Sequence, residues 1–263
     1  MFIGFDLESA ANDFYEGIDL LKLGISCAAI CESGGGAATV FYDTDILGFT
    51  LPRVSQEYAR LIADRLIDIA ASGKIIITHN GLKFDFPLLD AICGDREYSR
   101  QLKRVALEHH IDTGFSMVLD KSFMISLDTA AHALKLSGKT IGMHGSLAPI
   151  LWNPTRELSE EEILHIKELG VIPGTRSAQS LCLQYVAQDA RTSVDVYYAL
   201  VKKKSIRWVS SRTGRLVRDP WRPEIINGRM LTVAESMQKT PPETPWWPGN
   251  PFDKDQMLSW ALS

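Results

Sequence analysis

Two carboxylates stand two residues apart near the start of the chain, Asp6 and Glu8 in the string MFIGFDLES. Apolar residues run up to Asp6 and resume at Leu7, a pattern that reads as a buried strand. Residues i and i+2 of a strand point to the same face, so the two side chains sit side by side. Like charges that close repel, and each raises the other's pKa unless something compensates. Three more residues suggest what does. Asp85 follows the apolar string KIIITHN and opens the helical stretch DFPLLDAIC. Tyr185 and Asp189 are four residues apart in a long helical pattern and share one helix face, where an inward carboxylate is costly unless paired or metal-bound. If Asp6, Glu8, Asp85 and Asp189 converge, they form an oxygen-only site of the kind that suits Mg²⁺ or Mn²⁺. Two such ions about 3.5–4 Å apart can clamp the attacking and leaving oxygens of an in-line phosphoryl displacement. Taken singly, each residue has a plainer explanation. Asp6 can be a strand-edge residue, Asp85 a helix N-cap and Tyr185 a core aromatic with a bonded hydroxyl. The set as a whole points to metal-assisted chemistry.

The elements that must position these residues can be read along the chain. Residues 2–8 form a short strand. The string LLKLGISCAAICE (20–32) alternates as a strand with one buried face, the glycines at 34–36 make a turn, and ATVFYD (38–43) is the hairpin partner. SQEYARLIADRLIDIAAS (55–72) has a helical period and stops at Gly73. KIIITHN (74–80) is a strand and 85–93 a helix. Residues 96–172 read as mostly helical with loops, including a capping box at Ser159 before Glu162. Residues 178–204 form one long helix. Three early strands followed by alternating strands and helices predict an α/β domain with a mixed sheet flanked by helices. A boundary falls near 204, giving a domain over 1–203 and an extension over 204–263, whose ~60 residues are marginal as an independent core. Within the extension, IRWVSSRTGRLVRDPW reads as a hairpin turning at Thr213–Gly214. KTPPETPWWPGNP reads as irregular, with Trp246 and Trp247 pinning the tail to the core.

The strings FDLE (5–8), HNGLKFD (79–85) and YVAQD (185–189) resemble, in order, the three motifs of the DEDD superfamily of 3′–5′ exonucleases. The pattern is similar above all to the proofreading exonuclease domains of family B DNA polymerases and their stand-alone relatives. It covers roughly residues 1–203. The last motif divides the superfamily, and Tyr185 four residues before Asp189, with Gln184 beside it, resembles the tyrosine branch. The resemblance implies a ribonuclease-H-like fold and two divalent cations, Mg²⁺ or Mn²⁺. It implies that Asp6, Glu8 and Asp189 hold the first cation, that Asp6 bridges to the second, and that Asp85 holds the second. Tyr185, with Glu8, would orient the attacking water. The implied activity is hydrolysis of 3′-terminal phosphodiesters in single-stranded or frayed nucleic acid, DNA ahead of RNA, releasing nucleoside 5′-monophosphates. Two other readings stay open: a nucleic-acid-binding or partner-docking module with a vestigial nuclease core, and an endonuclease on the same fold.

Weaker signals surround the motifs. Asn80 either ends a strand in a turn or helps position the substrate strand. His79 reads as a satisfied strand-end histidine, and His109 and His110 as structural. Asp112 either caps a helix or belongs with the acidic set. SGKTIGMHG contains Gly-Lys-Thr but lacks the upstream glycine of a phosphate loop, which leaves Lys139 as a candidate backbone contact. Between Lys202 and Arg222 lie eight Lys and Arg against Asp219 alone, on a chain whose net charge is −4. One basic surface on an acidic body is suggested. Lys203, Arg207 and Trp208 are candidates for phosphate contact and base stacking, and the same residues also fit a Trp-anchored hairpin with a solvated edge.

With 45% hydrophobic and 23% charged residues over 263, the composition is that of a globular protein. No apolar run reaches the ~18 residues of a membrane span. The four cysteines lack a CxxC spacing and read as buried reduced thiols. No leader is evident, so a cytoplasmic location is expected, and a strand that begins at residue 2 carries the expectation that no polymerase domain precedes it.

Overall fold

A computed structural model describes residues 1–11, 19–33, 36–138, 142–210, 213–243 and 252–263. The elements follow in chain order as β1 (Phe2–Ser9), α1 (Leu20–Leu23), β2 (Ile25–Glu32), β3 (Thr39–Phe41), α2 (Gln56–Ala71), β4 (Ile75–Thr78), α3 (Asp85–Cys93), α4 (Arg96–Glu108) and β5 (His110–Asp112). There follow α5 (Thr113–Lys121), α6 (Leu127–Leu134), α7 (Ala148–Trp152), α8 (Glu160–Leu169), α9 (Arg176–Lys203), β6 (Ile225–Ile226), β7 (Arg229–Met230), α10 (Val233–Ser236) and α11 (Lys254–Leu262).

The chain is an α/β protein with a five-stranded mixed sheet in the order β3-β2-β1-β4-β5. β1 and β2 pair antiparallel, as do β2 and β3, whereas β4 is parallel to both β1 and β5. The alternation of β1 divides two layers. Ile3, Phe5 and Leu7 face one core, packed against residues of α2, α3, α4 and α11. The opposite face, from Gly4 through Asp6 to Glu8, meets α9. There a Cβ on Gly4 would stand 2.0 Å from the Ala190 carbonyl oxygen. A glycine inside a strand marks such a close approach of backbones, and here it lets the longest helix lie directly on the central strand. Phe2 packs at a tilt against Tyr197 with ring centroids 4.5 Å apart, so α9 runs antiparallel to β1. Tyr185 and Asp189 therefore lie at the end of the sheet where β1 finishes.

Three stretches differ from the sequence-based expectation. Leu20–Leu23 is a helical turn and not the start of a strand, because the Asp19 side chain accepts the Leu21 N–H and caps it; the strand begins at Ile25. β5 lies within a region expected to be helical, and only its parallel pairing to β4 reveals it. In the extension, the hairpin is present as isolated pairs, Ile206 with Trp221 and Val209 with Leu216, around Gly214. The sequence gives no warning of α11. Its Met257, Leu258 and Ala261 are buried in the main core, and Trp260 Nε1 donates to Asp90 at 2.7 Å. The residues after 204 pack on the domain: Trp221 Nε1 donates to Asp120 at 2.9 Å, and Lys239 bonds the other oxygen of the same carboxylate. The expectations placed on Lys139, Trp246 and Trp247, and on the turn at Gly34 and Gly35, fall outside the described residues.

Candidate active site

Asp6 and Glu8 project from the α9 face of β1, and Asp189 meets them from the helix. Each can offer one carboxylate oxygen such that the three atoms lie within 4.8 Å of one another. Gly4 makes this possible, since it sets the height of α9 above the strand two residues before Asp6.

Asp85 reaches the same end of the sheet by another route. β4 pairs with β1 only as far as Gly4 and Ile77, so β1 runs on past it. The Leu7 N–H, which lies between Asp6 and Glu8, donates to Asp85 Oδ1 at 2.9 Å. Burial pushes the Asp85 carboxyl up to about 7; the Leu7 N–H opposes that rise, and repulsion from Asp112 and Asp189 adds to it. Positive charge supplied nearby would favour the ionised form of this carboxyl.

Tyr185 is fully buried one helical turn before Asp189. Burial, repulsion from Glu8, Asp189 and Asp6, and a hydrogen bond to the Asp189 carboxylate all push its phenol pKa upward. The hydroxyl thus stays protonated, a donor and not a base. Beneath the cluster, burial and then the charge of Glu8 raise the Cys27 and Cys182 thiols, the latter to about 12. Both stay protonated, and all four cysteines are free and buried, which leaves carboxylate oxygens as the ligands on offer.

The turn that carries Asn80 and leads into Asp85 is fixed at nearly every position. His110, fully buried with its pKa lowered by burial, bonds Thr78 Oγ1 at 2.8 Å and the Ala106 carbonyl at 3.2 Å. Thr78 Oγ1 also accepts the Gly81 N–H at 3.1 Å. His79 bonds Thr113 Oγ1 and the Ile125 carbonyl through its two ring nitrogens. Asp112 accepts four backbone N–H groups, from Asn80 and Leu82 of the turn and from Gly114 and Phe115 at the start of α5. It clamps the turn to the helix. Asn80 itself takes a φ of 76°, a left-handed conformation that Asn tolerates. Its Oδ1 is buried and accepts no hydrogen bond from the described residues.

The structure thus brings Asp6, Glu8, Asp85, Tyr185 and Asp189 to one end of the sheet, with Asn80 on the adjoining turn. The basic candidates lie elsewhere. Lys203 is 14 residues beyond Asp189 on one continuous helix, roughly 21 Å away at 1.5 Å per residue, towards the opposite end of the sheet. Its Nζ donates to the Leu134 carbonyl at 2.6 Å and closes the end of α6. Trp208 is corrected outright as a stacking platform. Its ring is buried, packed edge-on against Phe123 at 6.0 Å, in the core cluster that also holds Trp221 and Ile206. Arg207 is exposed beside it, at that same far end. Sequence reasoning overlooked Gly4, whose place inside a buried strand was the available signal, and left the role of Asp112 open. No protein-family model matches the chain, and no curated protein sequence matches it.

Proposed function

We propose that this chain is a metal-dependent 3′–5′ exonuclease with a ribonuclease-H-like core, of the tyrosine branch of the DEDD superfamily. The observation that carries the reading is the convergence of Asp6, Glu8 and Asp189 oxygens within 4.8 Å, with Asp85 bonded to the main chain between the first two. The strand order, with one antiparallel and one parallel neighbour on either side of β1, is compatible with that core. An all-carboxylate donor set with protonated thiols fits Mg²⁺ or Mn²⁺ and does not favour a soft metal.

Asp6, Glu8 and Asp189 would hold one cation, and Asp6 with Asp85 a second. When bound, such a pair supplies positive charge for the attacking and leaving oxygens and makes water more acidic. The chain's own groups do the positioning. Tyr185 stays protonated and aims a water by donating a hydrogen bond, with Glu8 beside it. Water oxygen would bond to the terminal phosphorus and give up a proton to solvent, the bond from phosphorus to the upstream 3′-oxygen would break, and that oxygen would keep the electron pair and take up a proton from solvent. The product is a nucleoside 5′-monophosphate and a strand one residue shorter. Asn80, on the turn that leads into Asp85, would be a candidate contact for that terminal nucleotide.

The test is digestion of matched single-stranded DNA and RNA oligonucleotides, linear and circular, with Mg²⁺, with Mn²⁺ and with EDTA. Stepwise shortening of linear strands, an uncut circle and silence in EDTA are expected. Cutting of the circle would make it an endonuclease, and no cation-dependent cleavage would overturn the proposal.

A further inference from the structure

The hairpin that follows α9 turns its two tryptophans inward. Trp208 is buried against Phe123, and Trp221 is buried with its Nε1 on Asp120. The arms are tied by the Ile206 N–H to the Trp221 carbonyl and by the Val217 N–H to the Trp208 carbonyl, each at 2.9 Å. Successive residues of an extended arm point to opposite faces, so the residues between the buried ones look outward. Arg207 and Val209 stand exposed on the first arm, Arg215, Leu216 and Arg218 on the second, and Arg222 just past it. Val209 and Leu216 face each other as a cross-strand pair and are 56% and 58% exposed.

Four arginines thus surround an exposed aliphatic pair, and little answers their charge. Among the described residues none of the four forms an ion pair. Asp219, the one acidic residue between Lys202 and Arg222, is bonded to Lys121. Asp120 and Glu224 beside the hairpin are both taken up by Lys239. An apolar centre with a charged rim, rich in Arg, is the build of a protein interface. A nucleic-acid strand matches only half of it. Phosphates answer the arginines, but the rings that could stack a base are turned into the core, and Val209 and Leu216 gain nothing from a phosphate. The face also lies beyond the end of α9, away from Asp6 and Asp189. A polypeptide brings carboxylates, which the planar guanidinium binds in bidentate fashion, together with side chains that cover the aliphatic pair.

We propose that the outer face of this hairpin docks an acidic polypeptide segment that carries aliphatic side chains. The test uses two fluorescent peptides of equal length and charge, one built from Glu and Leu and the other from Glu and Ser. A single-stranded oligonucleotide of the same net charge is the third probe, and binding is followed by anisotropy in EDTA. The Glu–Leu peptide should bind about tenfold tighter than either other probe, and less tightly as salt is raised. Arg215→Gln with Arg218→Gln should weaken it about tenfold or more, the loss expected when charge-assisted hydrogen bonds are removed. Val209→Ser with Leu216→Ser should erase the preference for Leu over Ser. Both double variants should melt within a few degrees of the parent, since all four side chains are exposed, so a change in binding reports contact and not fold. Equal binding of the two peptides by the parent, binding of neither, or parent-like binding by the arginine variant would overturn the proposal. Tighter binding of the oligonucleotide through the same arginines would overturn it too, and would give the face to nucleic acid.

Discussion

Gly4 and Ala190 mark the place where β1 and α9 touch backbone to backbone: a Cβ on Gly4 would lie 2.0 Å from the Ala190 carbonyl oxygen. Asp6 follows two residues after one partner, and Asp189 directly precedes the other. The distance between a strand carboxylate and a helix carboxylate is thus set by a residue with no side chain.

Gly4→Ala should therefore do more than strain the core. Overpacking costs roughly 1–3 kcal/mol, and relief requires α9 to lift, which separates Asp189 from Asp6 and Glu8. Expected are a lower melting temperature and weaker calorimetric binding of Mn²⁺ together. A variant that melts earlier but binds Mn²⁺ like the parent would show that α9 is not held at this height for the site.

Tyr185→Phe removes the hydroxyl that bonds Asp189 and leaves the buried ring in place. The lost hydrogen bond should cost about 1 kcal/mol of stability. Hydrolysis should slow about a hundredfold to a thousandfold, as when one aimed donor is withdrawn, while Mn²⁺ still binds. Single-turnover rates on a 3′-labelled strand report it, and an unchanged rate would deny the phenol any role in aiming water.

Much of this arrangement was legible in the sequence, and the failures have physical causes. The carboxylates could be paired because period-2 and period-3.6 spacing states which side chains share a face, and FDLE and YVAQD each fall inside one element. β5 could not be found the same way. It is three residues long and fully buried, with no alternation to read, and it follows α4 with only His109 between. α11 escaped because its docking on α4 is long-range. Trp208 was ambiguous since a Trp among arginines suits both a stacking surface and a hairpin anchor. Only its burial against Phe123 decides.

Trp208→Ala should therefore behave as a core truncation, destabilising by roughly 3–5 kcal/mol. Oligonucleotide affinity, measured below the new melting temperature, should stay within about twofold of the parent, since loss of a stacked base would cost more than that. A large loss of affinity with little change in stability would restore the stacking role.

The Asp85 carboxyl gives a pH dependence with a definite sign. Its value rises from 3.8 to about 7 on folding, so between those limits the unfolded chain has lost a proton that the folded chain keeps. The stability this group contributes is complete below its unfolded value and is lost as pH climbs towards the folded one. In EDTA, the parent should lose melting temperature from about pH 5 to pH 8 more steeply than Asp85→Asn, whose amide does not titrate. Mn²⁺ should return stability to the parent at the upper pH, because a cation favours the ionised carboxylate. Identical slopes for the two proteins would contradict the burial argument.

The central claim is that Asp6, Glu8, Asp85 and Asp189 act together to hydrolyse a 3′ end. It is tested most directly by the release of a labelled 3′-terminal nucleotide from a single-stranded oligonucleotide in Mn²⁺, parent against Asp189→Asn. Asp189→Asn should fold and keep its melting temperature within a few degrees while release of labelled 5′-monophosphate is abolished. Release at the parent's rate by Asp189→Asn would contradict the account.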